Sequence, residues 1–177
     1  MGFTRNETRR LQVGKVPIGG GSPVSIQSMT NSQTADVEGT LAQISRLAMA
    51  GCDIVRIAIP DQASAQVVDQ IKEKSPLPLI ADIHFDYRLA LTCLERGIDG
   101  LRINPGNIGG AENVRTVAQA AKKRGVPIRI GVNAGSLEKE ILAAHDGHPT
   151  AGGMVAGALH HIKLLEEQDY EENKDSL

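Results

Sequence analysis

Apolar positions along the chain form two kinds of segment, short continuous runs and longer amphipathic stretches. Continuous apolar runs are typical of parallel strands that helices cover. Five such strands are predicted, over residues 24–29, 54–59, 79–83, 100–104 and 128–133. Apolar residues recur at helical spacing between them, so each strand is followed by a predicted helix. Five strand–helix units, spaced by about 20 to 30 residues, indicate a parallel sheet with right-handed crossovers.

The two ends of the chain depart from this repeat. Residues 10–19 predict a small β-hairpin before the first strand of the sheet. After the fifth strand, Ser136 is predicted to cap a short helix over 136–144, and a longer helix is predicted over 154–167. Residues 168–177 are polar and charged, and we predict no sixth strand there.

Polar residues in the strands decide between an open doubly wound sheet and a TIM (βα)8 barrel. Strand alternation places seven of them on one face or at its C-terminal edge. They are Arg56, Asp82, Arg102 and Arg129 in the strands, and His84, Asn104 and Asn133 towards the strand ends. A cluster of polar side chains at the C-terminal ends of the strands is typical of a barrel active site. We therefore predict an α/β fold, a partial TIM barrel of about five βα units, since a complete barrel has about 250 residues.

The arginines in three predicted strands are the strongest indication of function. A guanidinium in a covered strand is unfavourable unless it is paired or hydrogen-bonded. These arginines face one strand carboxylate, Asp82, unless loop acids such as Asp61 or Asp86 fold over the site. The excess positive charge predicts a multiply charged anion, and a diphosphate fits better than a carboxylate. The alternative is that the arginines pair with helix C-termini or loop acids and only brace the barrel.

Neighbouring segments add weaker indications. Glycine-rich loops over 104–110 and 131–136 allow close approach to a phosphate, or are ordinary turns. His84 is interpreted as a substrate contact, with the roles of proton donor, phosphate ligand and supporting group left open. With Asp82 it could bind a metal, but no third ligand is evident nearby, and we predict no metal site. The other histidines are interpreted as solvated surface residues.

Bulk properties exclude several classes of function. A net charge of −2 and a 2% aromatic content without tryptophan argue against a nucleic-acid partner. No apolar run approaches membrane-spanning length and no signal peptide is evident, so we predict a cytoplasmic protein with no membrane partner. Cys52 and Cys93 form no C-x-x-C pair, and we interpret them as buried, reduced thiols.

Six long motifs occur in order between about residues 4 and 170. They are IGGG at 18–21, SIQSMTN at 25–31, AGCDIVR at 50–56, ADIHFDYRLAL at 81–91, RINPGNIG at 102–109 and RIGVNAGSL at 129–137. Together they resemble the N-terminal part of the 4-hydroxy-3-methylbut-2-enyl diphosphate synthase family. The family belongs to the non-mevalonate pathway of isoprenoid biosynthesis.

This resemblance implies an oxidoreductase that opens the ring of 2-C-methyl-D-erythritol 2,4-cyclodiphosphate. In the family, reduced flavodoxin or ferredoxin supplies electrons through a [4Fe-4S] cluster, held by three cysteines and a glutamate of a C-terminal domain. The family is homodimeric. Carried over by motif, the substrate-binding residues are Arg56, Arg102, Arg129 and Asn133 as diphosphate ligands, with Asp82, His84 and Asn104 lining the same pocket.

The chain also departs from the family, whose members are roughly twice as long. We predict an incomplete barrel domain over residues 1–170, a polar tail over 171–177, and no iron–sulfur domain. The last barrel strands and a lysine after the sixth strand are expected to be missing, and Cys52 and Cys93 do not correspond to the cluster ligands. The isolated chain is therefore predicted to be catalytically incompetent. Two alternatives remain open, a stand-alone phosphate-binding barrel fragment without redox activity and a dihydropteroate synthase-like transferase.

Overall fold

The computed structural model describes residues 8–167 and 173–176. An antiparallel hairpin comes first, formed by β1 (Leu11–Val13) and β2 (Val16–Ile18). The strands that follow are β3 (Gln27–Met29), β4 (Ile54–Ala58), β5 (Leu79–Ile83), β6 (Gly100–Ile103), β7 (Ile128–Gly131) and β8 (Asn173–Ser176). The helices are α1 (Val37–Met49), α2 (Gln62–Gln66), α3 (Val68–Lys74), α4 (Tyr87–Glu95), α5 (Ala111–Lys122), α6 (Lys139–Ala144) and α7 (Ala151–Glu166).

Strands β3 to β8 form one six-stranded sheet in sequence order, and every neighbouring pair is parallel. Parallel neighbours need a crossover, and at least one helix lies between each pair of consecutive strands. This confirms the predicted hairpin and the predicted series of βα units. None of the helices in the described part of the chain is long and apolar enough to cross a membrane.

Four of the seven described helices begin where a short polar side chain satisfies one of the first N–H groups. The four capping residues accept these bonds as follows: Asp36 from Gly39 N at 3.0 Å, Asp61 from Ser64 N at 2.8 Å, Asp86 from Arg88 N at 2.9 Å and Thr150 from Gly153 N at 3.0 Å. Each such cap stabilises its helix by about 1 kcal/mol.

One face of the sheet packs against the helices and forms the main core. Its strand residues include Val55, Ile57, Ala81, Ile83, Leu101, Ile103, Ile128 and Ile130. The helices add residues at helical spacing, for example Val114, Val117, Ala118 and Ala121 of α5. Fully burying one Leu or Ile side chain contributes about 1.5–3 kcal/mol, so this interface is the main source of stability.

The opposite face, here called the inner face, carries the alternate strand residues. Towards the strand N-termini it is apolar, and Ile54 and Ile80 pack there against Val13 of the hairpin. Residues two positions further along each strand point to the same face. The hairpin therefore covers one end of the inner face, and the C-terminal half of that face carries the polar residues.

The strand β8 corrects the prediction that 168–177 is a tail with no sixth strand. Asn173–Ser176 pairs in parallel with β7 at the edge of the sheet. An edge strand is held by backbone hydrogen bonds and is commonly short and charged, so its sequence shows no apolar alternation. Residues 168–172 and 177 lie outside the described residues.

The segment after β7 also differs from the prediction. Residues Ala134–Ser136 form a short 3-10 turn, and α6 begins at Lys139 with Glu138 at its N-cap position, so Ser136 does not start the helix. Helix α7 begins three residues earlier than predicted, because Thr150 caps it. The first turn of α7 contains two glycines, at positions 152 and 153. Because they carry no apolar side chain, hydrophobic periodicity does not show where the helix starts.

Candidate functional site

Four adjacent strands bring the predicted polar residues together on the inner face. In the register of the sheet, Asp82 of β5 lies opposite Arg102 of β6, and Arg102 lies opposite Arg129 of β7. Arg56 of β4 has the same orientation as Asp82. Neighbouring strands are about 4.8 Å apart, so these side chains meet in one place.

The Asp82 carboxylate lies at the centre of this group. Its Oδ2 is 3.3 Å from Arg56 Nε, while Oδ1 is 3.2 Å from Arg102 Nη1 and 3.4 Å from His84 Nε2. The Asp82 side chain is 5% exposed, whereas the side chains of Arg56 and Arg102 are 25% and 18% exposed. One buried carboxylate thus orients two guanidinium groups and an imidazole, and leaves parts of all three facing solvent.

Arg129 belongs to the same electrostatic group. Burial lowers the pKa of its guanidinium, and the positive charges of Arg56 and Arg102 lower it further, while Asp82 acts in the opposite direction. Three guanidinium groups and one carboxylate thus lie close enough to influence one another electrostatically. Like charges held this close repel, so an anion between them is favoured.

The loop acids that could have neutralised this charge are engaged elsewhere. Asp61 caps α2 through Ser64, and the N–H of Ser64 lowers the pKa of that carboxyl group. Asp86 caps α4 as predicted and pairs with the Arg88 side chain at 2.9 Å, which lowers the pKa of Asp86. Neither carboxylate is held over the three strand arginines.

Polar groups at the strand ends complete the site. Asn104, 2% exposed, follows β6, and its Nδ2 has no hydrogen-bond partner among the described residues. An unpaired buried polar group costs about 1–3 kcal/mol, so this amide is suited to a bound oxygen atom. Asn133 lies beyond β7 and is exposed.

Gly131, at the end of β7, is a functional position that sequence reasoning missed. A Cβ atom built there would overlap the guanidinium of Arg102. Its φ is not in the left-handed region, so the glycine is required for space and not for backbone conformation. The signal was a glycine inside a strand, which often marks close approach of another group.

The cysteines do not fit an iron–sulfur cluster. Both are buried and free. Burial raises the pKa of the Cys93 thiol to about 12, and Cys52 Sγ donates to the carbonyl of Ile54 at 3.0 Å. Cluster ligands are thiolates, whereas Cys93 is held as a thiol by burial and Cys52 lies in the core against a backbone carbonyl. Asp82 and His84 do not form part of a three-residue metal site. Among the described residues, one group of three side chains could hold a metal ion, and it does not include them.

Comparison with known sequences identifies the family. The sequence model of the GcpE TIM-barrel domain matches residues 8–177. The chain belongs to this family.

Among curated relatives of this GcpE barrel, the 4-hydroxy-3-methylbut-2-en-1-yl diphosphate synthase (flavodoxin) of Geobacter sulfurreducens is 59% identical over 171 residues, which are 97% of this chain and 48% of that protein. The Geobacillus kaustophilus synthase is 59% identical over 166 residues, covering 94% of this chain and 44% of that protein. The chain therefore spans about half the length of the curated relatives it matches. The resemblance inferred from the motifs is confirmed.

Solved structures support the fold of the GcpE barrel. Dihydropteroate synthase from Stenotrophomonas maltophilia superposes with a TM-score of 0.67 at 12% identity, covering 96% of this chain and 65% of that one. Phospho-2-dehydro-3-deoxyheptonate aldolase from Thermotoga maritima has a TM-score of 0.66 at 11% identity, covering 96% and 45%. At such identities the likeness concerns the fold alone. The predicted partial TIM barrel is confirmed.

Proposed function

We propose that this chain is the substrate-binding part of a 4-hydroxy-3-methylbut-2-enyl diphosphate synthase. The reaction is the reductive ring opening of 2-C-methyl-D-erythritol 2,4-cyclodiphosphate to 4-hydroxy-3-methylbut-2-enyl diphosphate, in non-mevalonate isoprenoid biosynthesis. Identity of 59% to two synthases supports the family activity. The single observation that carries the proposal is the convergence of three strand arginines on one carboxylate.

Charge matching supports a cyclic diphosphate as the ligand. Such a group carries one ionised oxygen on each phosphorus atom, and the inner face brings three guanidinium groups together beside one carboxylate. Arg56, Arg102 and Arg129 bind these oxygens by charge-assisted hydrogen bonds. Asp82 holds two of the guanidinium groups before the ligand arrives, so less rotational freedom is lost on binding.

The groups at the strand ends orient the ligand. Asn133, at the exposed rim, is a further diphosphate ligand, and the unpaired amide of Asn104 donates to an oxygen deeper in the site. The Asp82 carboxylate positions the His84 imidazole, whose ring is partly exposed towards the same space. These four side chains then determine the orientation of the ring that is opened.

Electron delivery requires residues other than those described here. Cys52 and Cys93 do not fit the [4Fe-4S] cluster that the family uses, so no reaction step is assigned to them. We propose that the whole protein receives electrons from flavodoxin or ferredoxin and acts as a homodimer, and that the 177-residue chain alone binds substrate without turnover. The cytoplasmic location stays a prediction.

Calorimetric titration of the cyclodiphosphate into the chain tests this function. We expect one ligand per chain, and weaker binding in Arg56→Gln and Arg129→Gln, because each variant removes a charge-assisted contact. Arg46→Gln is the matched control, since Arg46 is an exposed residue of α1. Equal affinity in all three variants would contradict the proposed site. Binding of a pterin diphosphate in preference to the cyclodiphosphate would favour the transferase alternative.

A further inference from the structure

A second group of functional side chains lies away from the inner face, between the segment after β7 and α7. Glu138 Oε1 is 3.7 Å from His160 Nε2 and 3.9 Å from His161 Nε2. One potential ligand atom of each residue lies within 4.8 Å of the others. Sequence reasoning interpreted both histidines as surface residues, and for His161 this is wrong, because it is buried.

The environment of His161 is unusual for a histidine that only fills space. The residue is 4% exposed, and its Nδ1 has no hydrogen-bond partner among the described residues. Its Nε2 is too far from Glu138 Oε1, at 3.9 Å, for a hydrogen bond. A buried imidazole that is poorly hydrogen-bonded and directed at a carboxylate calls for an explanation, and a bound ion is one of the recognised ones.

The chemistry of the three donors suits a zinc ion. Two imidazole nitrogens and one carboxylate oxygen are a donor set found in zinc sites that keep a fourth position open. Tetrahedral zinc with bonds of about 2.0–2.1 Å places its ligand atoms about 3.3 Å apart. The two measured separations exceed this by only about half an ångström, and the ligand atoms of the two histidines lie within 4.8 Å of each other, so side-chain rotation must bring the three closer around the ion.

Solvent access agrees with this assignment. His160 is exposed and Glu138 is partly exposed, so an ion can enter from solvent.

We propose that Glu138, His160 and His161 bind one zinc ion that links α7 to the segment following β7. One imidazole nitrogen of each histidine binds the ion, which also neutralises the carboxylate of Glu138. Glu138 is five residues beyond Asn133, so the ion also restrains the segment that follows the rim of the inner face. The site is independent of the proposed enzymatic function and needs no substrate.

Titration of the untagged chain with Zn²⁺ by calorimetry tests the site, with His160→Gln and Glu138→Gln as the main variants. Both positions are at least partly exposed, so these variants keep the fold, which circular dichroism verifies. We expect one ion per chain and a dissociation constant at least tenfold higher in each variant. His148→Gln is the matched control, because His148 is exposed and lies outside the group, and its affinity should equal that of the parent chain.

Substitution with Co²⁺ adds a spectroscopic readout. We expect visible absorption typical of four-coordinate cobalt, lost in His161→Gln, without the strong near-ultraviolet band of a cobalt–thiolate bond. A thiolate band would place the ion on cysteine and overturn the proposal. So would the absence of stoichiometric binding, unchanged affinity in both main variants, or an equal loss in His148→Gln, which would indicate adventitious surface binding.

Discussion

The substitution Gly131→Ala isolates the position of one arginine in the proposed site. The added Cβ overlaps the Arg102 guanidinium, and the atoms it meets are the mobile end of that side chain. Arg102 therefore swings away while the backbone stays in place, because the φ of Gly131 is one that alanine also adopts. The change removes Arg102 from both Asp82 and the ligand without altering any charge.

Gly131→Ala is expected to weaken ligand binding more than it changes the stability of the fold. Losing one charge-assisted hydrogen bond to the diphosphate costs about 1.5–3 kcal/mol, which corresponds to a dissociation constant roughly 10 to 100 times higher. In the free chain the 3.2 Å contact to Asp82 is also lost, but Arg56 and His84 still contact that carboxylate. Replacing a strand glycine by alanine stabilises the folded state by about 0.5–1 kcal/mol, because the unfolded chain has less backbone entropy. We expect the free energy of unfolding to change by less than about 2 kcal/mol.

Calorimetric titration with the cyclodiphosphate and urea unfolding measure the two quantities on one preparation. Gly152→Ala is the matched control, because Gly152 is an exposed residue of α7 and the nearest atom to a Cβ there, His145 Cε1, is at an ordinary 3.4 Å. The reasoning is refuted if Gly131→Ala binds within twofold of the parent chain while remaining folded. It is also refuted if Gly152→Ala loses as much affinity.

Three further predictions concern stability, solubility and reactivity. The lowered pKa of Asp86 implies a contribution to stability that is present above its ordinary value of 3.8 and is lost as pH falls through the lower folded value. Asp86→Asn keeps a cap acceptor but does not ionise, so acid unfolding curves should flatten for this variant; an identical pH dependence would contradict this. The exposed Val24 and Ile26 lie beside the β3 edge, and replacing both by lysine should reduce light scattering on concentration, whereas unchanged scattering would locate aggregation elsewhere. Cys93, buried and with a thiol pKa of about 12, should resist a thiol reagent at pH 8 until the chain is unfolded, and rapid labelling of the folded chain would be inconsistent with its burial.

The fold was predictable to the extent that burial leaves a pattern. Covered parallel strands read as apolar runs, and an arginine inside such a run, as in β4, β6 and β7, stands out. Alternation then places Arg56, Arg102 and Arg129 on one face without reference to a structure. The strand β8 left no such trace, because its sequence is short and polar and it joins the sheet by pairing with β7.

The site itself was only half predictable. Alternation along the strands predicts that the charged residues share one face. It does not predict which groups pair with them. Asp61 and Asp86 were equally plausible counterions until the structure placed them at helix N-caps. The need for glycine at position 131 depends on a side chain of the neighbouring strand, which no local pattern contains.

Local sequence by itself determined the order of strands and helices and the side of the sheet that carries the arginines, because both depend on periodicity within a segment. Only the tertiary structure decided which groups touch. Asp82 meets Arg56 and Arg102 through the pairing of three strands, and Glu138 meets His161 across more than twenty residues of chain. Contacts between distant segments depend on register and helix packing, and these are properties of the whole fold.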